Sequence, residues 1–451
     1  MKIEFGIARR CINPQVPVSL AGYFNVRMWD RVLDDLEVRA VVFKQGSTYA
    51  AILHFDLVTI PLYLCDMILD GISRAGITEI TRENLTICAI HTHTGPEVRN
   101  TLNGFNPEYP PFAAELAVEA LHEALGDLRE GEVVHGETAD SRFLFNRRYW
   151  MKNGRVMTNP GKLNPEIVRP EGEIDPDIPL LGIRCNGELR LLLCSIVNHT
   201  DTIGGTGVSA DWNGFLRRTL ESELGPGSMV CPLIGASGNI NHFDVSTDRD
   251  QTCYAEAERI GAGYAETICK ALSELRPVEG SVLNTVFGEV SVMPREISER
   301  EVSEARAVVE KYADSSFDAR ADMTSEDLAK GAPSVLKFFA EMLLERANCR
   351  EKQRLYLTGI AFGSSAVIAS LPSEPFTEIG LMLRKGIFPD RLCLVAALAN
   401  GTGSRTNFGG YIPNPWNYGR GGYEDTPRSN PFSRNTADAL LAEWRRLAER
   451  L

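Results

Sequence analysis

The stretch Ala89-Ile90-His91-Thr92-His93-Thr94-Gly95-Pro96 holds two of the chain's seven histidines, two residues apart and directly before a Gly-Pro turn. The apolar run 85–90 leads into it and predicts a strand that ends at the histidines. In a strand, residues i and i+2 point to the same face, so both imidazoles are expected on one side of the strand end. This geometry suits a metal ion or a polarised carbonyl, although a pair of hydrogen-bonded loop histidines fits the pattern equally well.

Length and composition are those of a layered globular protein. The 451 residues suffice for two or three average domains or one large α/β domain, and the 43% hydrophobic and 24% charged contents are ordinary. A net charge of −13 and a pI of about 5.2 argue against nucleic acid as a partner, because phosphate backbones attract basic surfaces. No apolar run reaches the ~18 residues that a membrane span needs.

The first residues and the cysteines bear on the cellular compartment. The start of the chain has no basic segment followed by an apolar one, so no signal peptide is expected. The ten cysteines are scattered singly, without a Cys-x-x-Cys pair. Reduced thiols in a cytoplasmic protein are therefore expected rather than disulfides.

The order of the predicted elements indicates an α/β protein with mixed sheets and flanking helices. Strands over 3–8 and 38–56 precede a helix over about 60–75, and the strand before the histidines precedes a helix over about 111–126. Farther on, Asn186-Gly187 predicts a tight hairpin between two strands. The second of these strands ends at Asn198-His199-Thr200-Asp201. Ligand sites in layered α/β proteins form at such strand ends.

Two segments depart from this alternation. Residues 296–350 are rich in charged residues and alanine with helical periodicity, and we interpret them as a helical excursion within a single domain that spans 1–451. Residues 400–434 are rich in glycine, asparagine, proline and aromatic residues, and a loop of this length is more often functional than idle. An amphipathic helix over 436–451 is expected after it.

Three residues far from the histidine pair are candidates to join it. His199 ends a strand, Glu374 follows another apolar strand, and Tyr411 lies in the long loop. Each also has an ordinary explanation, as a turn histidine, a carboxylate in a first helical turn or a packing tyrosine. Two histidines and a carboxylate at strand ends suit Zn²⁺, whereas spacing alone does not indicate the tyrosine.

Taken in order, these motifs resemble the catalytic domain of the neutral, non-lysosomal ceramidase family. The similarity of His91-Thr92-His93-Thr94-Gly95-Pro96 to the family's HTHSGP segment is suggestive, and the collinear set over nearly all of the chain is specific. The other matching segments are Gly6-Ile7-Ala8, Ala21-Gly22-Tyr23, Asn146-Arg147, Asn198-His199-Thr200, Ser209-Ala210-Asp211, Leu371-Pro372-Ser373-Glu374, Tyr411-Ile412 and Tyr423-Glu424.

The resemblance implies a metal site and a set of residues that face the substrate. The implied zinc ligands are His91, His199, Glu374 and Tyr411. Zn²⁺ lowers the pKa of a bound water from 15.7 towards ~7, so a zinc-activated water would attack the acyl carbon of an amide. The residues implied to face the substrate, as hydrogen-bond or proton donors, are His93, Arg147 and Tyr423.

Two departures from the family bear on mechanism and substrate. In the loop Gly238-Asn239-Ile240-Asn241-His242, Asn241 stands where the family has a serine, and Asn239 where it has an aspartate. Asparagine can donate to an oxyanion but is not a nucleophile, which favours direct attack by zinc-activated water. We also expect no C-terminal β-domain of the kind the ceramidases carry, which favours a smaller soluble substrate over ceramide.

We therefore expect a zinc-dependent amidase that acts on a small molecule. A metal-dependent hydrolase of an ester, lactone or sugar derivative is one alternative, and a non-catalytic ligand-binding relative is another. The sequence leaves open a homo-oligomeric state and whether Ser237 or Asn241 takes part in chemistry.

Overall fold

The computed structural model describes residues 1–23, 25–100, 104–315, 331–401 and 410–451. Its two main sheets lie face to face, and helices cover their outer sides, so the layers run helix, sheet, sheet, helix. This arrangement confirms the predicted α/β class with mixed sheets and flanking helices.

The strands are of two kinds. Long strands form the two main sheets, and most strands of two to four residues pair with each other in the connecting segments. In chain order they are β1 (Lys2–Cys11), β2 (Ser19–Leu20), β3 (Arg27–Met28), β4 (Arg31–Val32), β5 (Glu37–Gln45), β6 (Thr48–Phe55), β7 (Leu85–Ala89), β8 (Arg129–Ala139), β9 (Phe145–Asn146), β10 (Arg148–Met151), β11 (Val156–Thr158), β12 (Ile167–Pro170), β13 (Asp177–Cys185), β14 (Glu188–Ile196), β15 (Gly207–Val208), β16 (Met229–Ile234), β17 (Ile240–Asn241), β18 (Arg276–Pro277), β19 (Leu283–Val292), β20 (Gln353–Phe362), β21 (Ala366–Ser370), β22 (Glu374–Pro375), β23 (Leu392–Ala396) and β24 (Tyr411–Ile412).

The helices lie between these strands, and three of them match the ranges predicted at about 60–75, about 111–126 and 436–451. They are α1 (Leu62–Arg74), α2 (Tyr109–Gly126), α3 (Asp211–Leu224), α4 (Tyr254–Ala271), α5 (Glu299–Lys311), α6 (Pro333–Ala347), α7 (Thr377–Leu381) and α8 (Thr436–Ala448). A π-helical turn, Met382–Ile387, continues α7, and short 3₁₀ turns cover Leu272–Glu274, Pro415–Asn417 and Tyr423–Asp425.

The large sheet has the order β16-β14-β13-β8-β1-β5-β6-β7, with β18 also paired to β8. The pairs β6/β7 and β14/β16 at its two ends are parallel, whereas the central pairs are antiparallel. The second sheet has the order β19-β20-β21-β23. The hairpin between β13 and β14 turns at Asn186 and Gly187, both at positive φ, as a tight two-residue turn requires.

Alternating residues of single strands feed two separate cores. In β5, Val38, Ala40 and Val42 pack towards the helices, whereas Val41 and Phe43 pack towards the second sheet. Phe43 meets Phe362 of β20 edge to face, with ring centroids 5.0 Å apart. A third core lies between the second sheet and α8. The sheets are thus held in fixed register by burial on both faces.

The large sheet curls until its two ends approach each other. The Nε2 atom of His54, in β6, lies 2.9 Å from the carbonyl oxygen of Pro232, in β16. The second sheet joins at the same place, because the Ala397 N–H donates to the Ile234 carbonyl at 2.7 Å. The loops that follow β7, β14 and β16 therefore gather at one side of the molecule, together with the loop after β21.

The predicted helical excursion and long loop lie partly within the described ranges. Helices α5 and α6 pack against each other in the excursion, and α5 begins with a Ser298–Glu301 capping box. Residues 316–330 of the excursion and 402–409 of the long loop lie outside the described residues. All ten cysteines are free thiols. No helix among the described residues has the length and apolar character to cross a membrane.

Candidate metal and active site

His91 reaches the site through a strained backbone rather than through strand geometry. Strand β7 ends at Ala89, and His91 adopts φ +67°, a left-handed conformation that non-glycine residues rarely take. The alternation expected for His91 and His93 on one strand face is therefore wrong, because neither residue is in the strand. The turn still brings their Nε2 atoms to 3.3 Å.

His91 and His199 point unprotonated nitrogens at each other. His199 follows β14, and its Nε2 lies 3.0 Å from that of His91. The Nδ1 atom of His91 lies 2.7 Å from the Val58 carbonyl, and that of His199 lies 3.1 Å from the Ser237 carbonyl. A carbonyl only accepts, so each Nδ1 carries the hydrogen and each Nε2 presents a lone pair.

Glu374 completes a triangle of electron-pair donors with these histidines. Its Oε2 lies 3.3 Å from His91 Nε2 and 3.5 Å from His199 Nε2, and this buried oxygen has no hydrogen-bond partner among the described residues. Burial opposes ionisation of Glu374, but the electrostatic influence of the adjacent His91 and His199 outweighs it and holds the pKa of the carboxyl well below its usual range. A buried, ionised oxygen without a hydrogen bond is the mark of a ligand atom.

The triangle has the dimensions of a zinc site. Zinc bonds of about 2.0–2.2 Å in a tetrahedron place neighbouring ligand atoms about 3.4 Å apart. The three separations of 3.0, 3.3 and 3.5 Å match that edge length. The residues present therefore fit a zinc ion. His93 is also within reach, since one nitrogen of each of His91, His93 and His199 lies within 4.8 Å of the others.

Tyr411 is brought to the site by a two-residue parallel pairing. Strand β24 pairs with β22, and Tyr411 stands opposite Glu374 in that register. The Arg147 guanidinium lies over the Tyr411 ring, 5.0 Å from its centroid. Burial raises the pKa of the Tyr411 phenol well above its ordinary value, and the charge of Arg147 opposes this shift.

Arg147 is anchored by a buried ion pair. Its Nε donates to Glu424 Oε1 at 2.8 Å, its Nη2 to the Gly238 carbonyl at 2.9 Å, and its Nη1 lies 3.2 Å from His199 Nε2. Glu424 is fully buried and also accepts from Arg148 at 2.7 Å. The sequence prediction named Arg147 but missed Glu424, although the carboxylate adjoins Tyr423 in the matching Tyr-Glu segment.

Comparison with solved structures places this arrangement in a known fold. Neutral ceramidase from Pseudomonas aeruginosa superposes with a TM-score of 0.75 at 16% identity, over 100% of this chain and 75% of that one. A ceramidase complexed with C2 gives a TM-score of 0.72 at 15% identity, over 100% of this chain and 76% of that one. The chain has the neutral ceramidase fold. No protein-family model and no curated protein matches the sequence.

Within this ceramidase-like fold, His93 and Tyr423 lie beside the triangle of His91, His199 and Glu374. The His93 ring meets Tyr23 edge to face at 5.5 Å and packs on Gly22, where a Cβ would come within 2.4 Å of it. Burial lowers the pKa of His93 well below its ordinary value. The Tyr423 ring lies 5.7 Å from that of Tyr411, and its hydroxyl accepts from Arg428 at 3.0 Å.

Asn241 is buried and connects two loops beside this triangle. Its Nδ2 donates to Asn159 Oδ1 at 3.0 Å, and its Oδ1 accepts from the Phe243 N–H at 3.1 Å. One N–H of the amide remains as a donor. Ser237, the alternative considered from sequence, contributes its carbonyl to His199.

A second charged pair that sequence reasoning missed lies beside the histidines. His242 Nδ1 lies 3.1 Å from Asp201 Oδ1, and His242 Nε2 lies 2.7 Å from the Gln251 carbonyl. Burial opposes the charge on His242, but Asp201 outweighs it and raises the pKa of the imidazole. Asp201 lies in the quoted segment 198–201 and His242 in the segment 238–242, but the sequence gives no sign that these two segments are in contact.

Proposed function

We propose that the protein is a zinc-dependent hydrolase that cleaves the amide bond of a small N-acyl substrate. The observation that carries this proposal is the convergence of His91 Nε2, His199 Nε2 and Glu374 Oε2 at tetrahedral edge lengths. Tyr411 is the proposed fourth ligand, because its pairing with Glu374 sets its side chain beside the triangle. The ceramidase-like fold supports an acyl-transfer chemistry for this site.

When bound, Zn²⁺ supplies Lewis acidity that polarises an acyl oxygen and lowers the pKa of water. The chain's own groups do the rest. Burial keeps the His93 imidazole neutral, so it can accept a proton from the attacking water and return it to the leaving nitrogen. Tyr423, whose oxygen accepts from Arg428, donates its hydroxyl proton towards the developing oxyanion.

Arg147 holds the geometry of this site. Its guanidinium nitrogens donate to Glu424 and to the Gly238 carbonyl, and the third lies 3.2 Å from His199 Nε2. The guanidinium group also lies over the Tyr411 ring. The remaining N–H of Asn241 is proposed to contact substrate from the Gly238–His242 loop. Since asparagine is not a nucleophile, we propose direct attack by water rather than an acyl-enzyme.

We further propose that residues 1–451 act as one catalytic unit with the helical excursion inside it, and that the protein works in the cytoplasm. The ten free thiols support a reducing compartment. A small soluble substrate suits this setting better than ceramide in a membrane.

The proposal is tested by metal analysis and a substrate panel. The purified protein is expected to hold one zinc per chain and to hydrolyse soluble N-acyl compounds. His91→Ala and His199→Ala are expected to lose both zinc and turnover. His122→Ala is the matched control, because this histidine is exposed on α2 and should keep both. Full turnover after complete metal removal contradicts the proposal. If the protein hydrolyses esters and lactones but no N-acyl compound, it is a hydrolase of C–O acyl bonds rather than an amidase.

A further inference from the structure

Asp201 lies next to the metal-binding histidines without being one of the proposed ligands. It follows His199 by two residues, and the preceding Thr200 carbonyl accepts the His93 backbone N–H at 3.0 Å. The Asp201 carboxylate interacts electrostatically with the imidazoles of His199 and His93. The group is thus built into the wall of the proposed active site.

His242 fixes the orientation of this carboxylate. The Gln251 carbonyl accepts from His242 Nε2, so that nitrogen carries a hydrogen, and the second ring hydrogen points from Nδ1 to Asp201 Oδ1. The ring is buried, and Gln251 is held in turn by two hydrogen bonds to the backbone of Asp244. Asp201 is therefore a charged group in one fixed rotamer.

One oxygen of Asp201 is left to accept. Oδ1 is taken by His242, and among the described residues no donor lies on Oδ2. The side chain keeps 13% exposure, which opens it to a ligand. A carboxylate oxygen accepts hydrogen bonds and donates none, so it selects a ligand that carries a donor.

We propose that Asp201 is a substrate-binding residue that accepts a hydrogen bond from a hydroxyl group on the amine half of the N-acyl substrate, with His242 as its positioning residue. The favoured substrate class is accordingly an N-acylated, polyhydroxylated amine such as an N-acyl amino sugar. This inference rests on the proposed function for the identity of the scissile bond. His242 is the last residue of the Gly238–His242 loop, where the sequence departs from the ceramidase pattern.

The test compares two ligands that share an acetamide and a six-membered ring and differ in the ring hydroxyls: N-acetylglucosamine and N-cyclohexylacetamide. Ligand-observed NMR titration of the zinc-loaded protein gives both affinities, and the acetate methyl signal in the same tube reports turnover. The wild type is expected to bind the hydroxylated ligand about tenfold more tightly, as a hydrogen bond to a charged group provides.

Asp201→Asn is expected to abolish that preference, while leaving the affinity for N-cyclohexylacetamide and the zinc content unchanged. His242→Gln should weaken the preference, since it frees the carboxylate to rotate. Asp244→Asn is the matched control and should keep the preference, because this carboxylate lies two residues after His242 and, among the described residues, accepts hydrogen bonds from Ser246 alone. If Asp201→Asn does not fold, deoxy analogues of N-acetylglucosamine on the wild type must locate one hydroxyl worth about tenfold in affinity.

Equal affinity of the wild type for both ligands overturns the inference, as does a preference that survives Asp201→Asn. Failure of N-acetylglucosamine to bind overturns it as well. A preference that depends on Asp201 without any acetate release contradicts the proposed amide hydrolysis and leaves the hydrogen-bond assignment standing.

Discussion

Glu374 and Tyr411 stand directly opposite each other in the parallel pairing of β22 and β24. Neighbouring strands lie about 4.8 Å apart, so this register places a carboxylate and a phenol side by side. The pairing continues on both sides, where the Gly410 carbonyl accepts from the Glu374 N–H and the Ile412 carbonyl accepts from the Phe376 N–H. A backbone register, rather than a side-chain contact, thus brings the fourth proposed ligand to the metal triangle.

Removing the Tyr411 hydroxyl tests that assignment. Tyr411→Phe keeps the ring under Arg147 and is expected to weaken zinc binding by at least the factor of about 10–100 that loss of a residue supporting a ligand costs, because one direct donor is lost while the triangle remains. Competition with a chromogenic chelator measures the change. Tyr418→Phe is the control and should keep its zinc affinity, because the Tyr418 hydroxyl lies in the same loop but donates to Asn430 Oδ1. Unchanged zinc affinity in Tyr411→Phe would leave His93 as the fourth ligand.

His93→Ala separates a proton-transfer role from a ligand role. We expect the variant to keep its zinc and to lose about 10²–10⁴-fold in kcat, the usual contribution of a general acid–base group. Metal content per chain and steady-state kinetics are measured on the same preparation. Loss of zinc together with activity would show instead that the set His91, His93 and His199 binds the ion.

The buried ion pair of Arg147 with Glu424 predicts a large stability effect. Glu424→Ala leaves two buried guanidinium groups, Arg147 and Arg148, without this carboxylate, and such a loss costs about 3–5 kcal/mol. Chemical denaturation measures the free energy of unfolding. Glu443→Ala removes a surface pair with Arg446 and should cost under about 1 kcal/mol. Similar values for the two variants would contradict the buried pair's role.

His54 predicts a loss of stability in mild acid. Burial lowers the pKa of this fully buried imidazole to about 4, below its ordinary value of 6.5. Below pH 6.5 the unfolded chain therefore binds a proton that the folded chain refuses, so stability falls as the pH drops from about 6.5 to 4. The loss amounts to roughly 3 kcal/mol.

The variant His54→Gln can still donate to the Pro232 carbonyl but does not titrate. Its unfolding free energy, measured by denaturation at pH 7 and pH 4.5, is expected to fall less with acid than that of the wild type. His122→Gln, at an exposed position, should retain the wild-type slope. A slope in His54→Gln as steep as in the wild type would assign the acid sensitivity to other groups.

Local patterns predicted the elements and the strand-end histidines because those features depend on neighbours in sequence. Asn186-Gly187 fixes its hairpin alone, and His91 and His199 follow apolar strands that end where expected. Tyr411 could be named only through the resemblance, since its placement depends on pairing with a strand 37 positions earlier. Asp201 and His242 were missed because their contact requires the folding of two loops onto each other. The left-handed turn at His91 was missed as well, because histidine is only enriched at positive φ and its presence does not fix that conformation.

The left-handed backbone of His91 sets how this site would be lost in evolution. Glycine adopts φ +67° at no steric cost, and asparagine does so more readily than histidine. A drifting lineage released from selection for turnover would therefore gain about 1 kcal/mol of stability by replacing His91 with glycine or asparagine. Histidine carries this backbone cost at position 91, and what it provides in return is a ring nitrogen placed 3.0 Å from His199 Nε2.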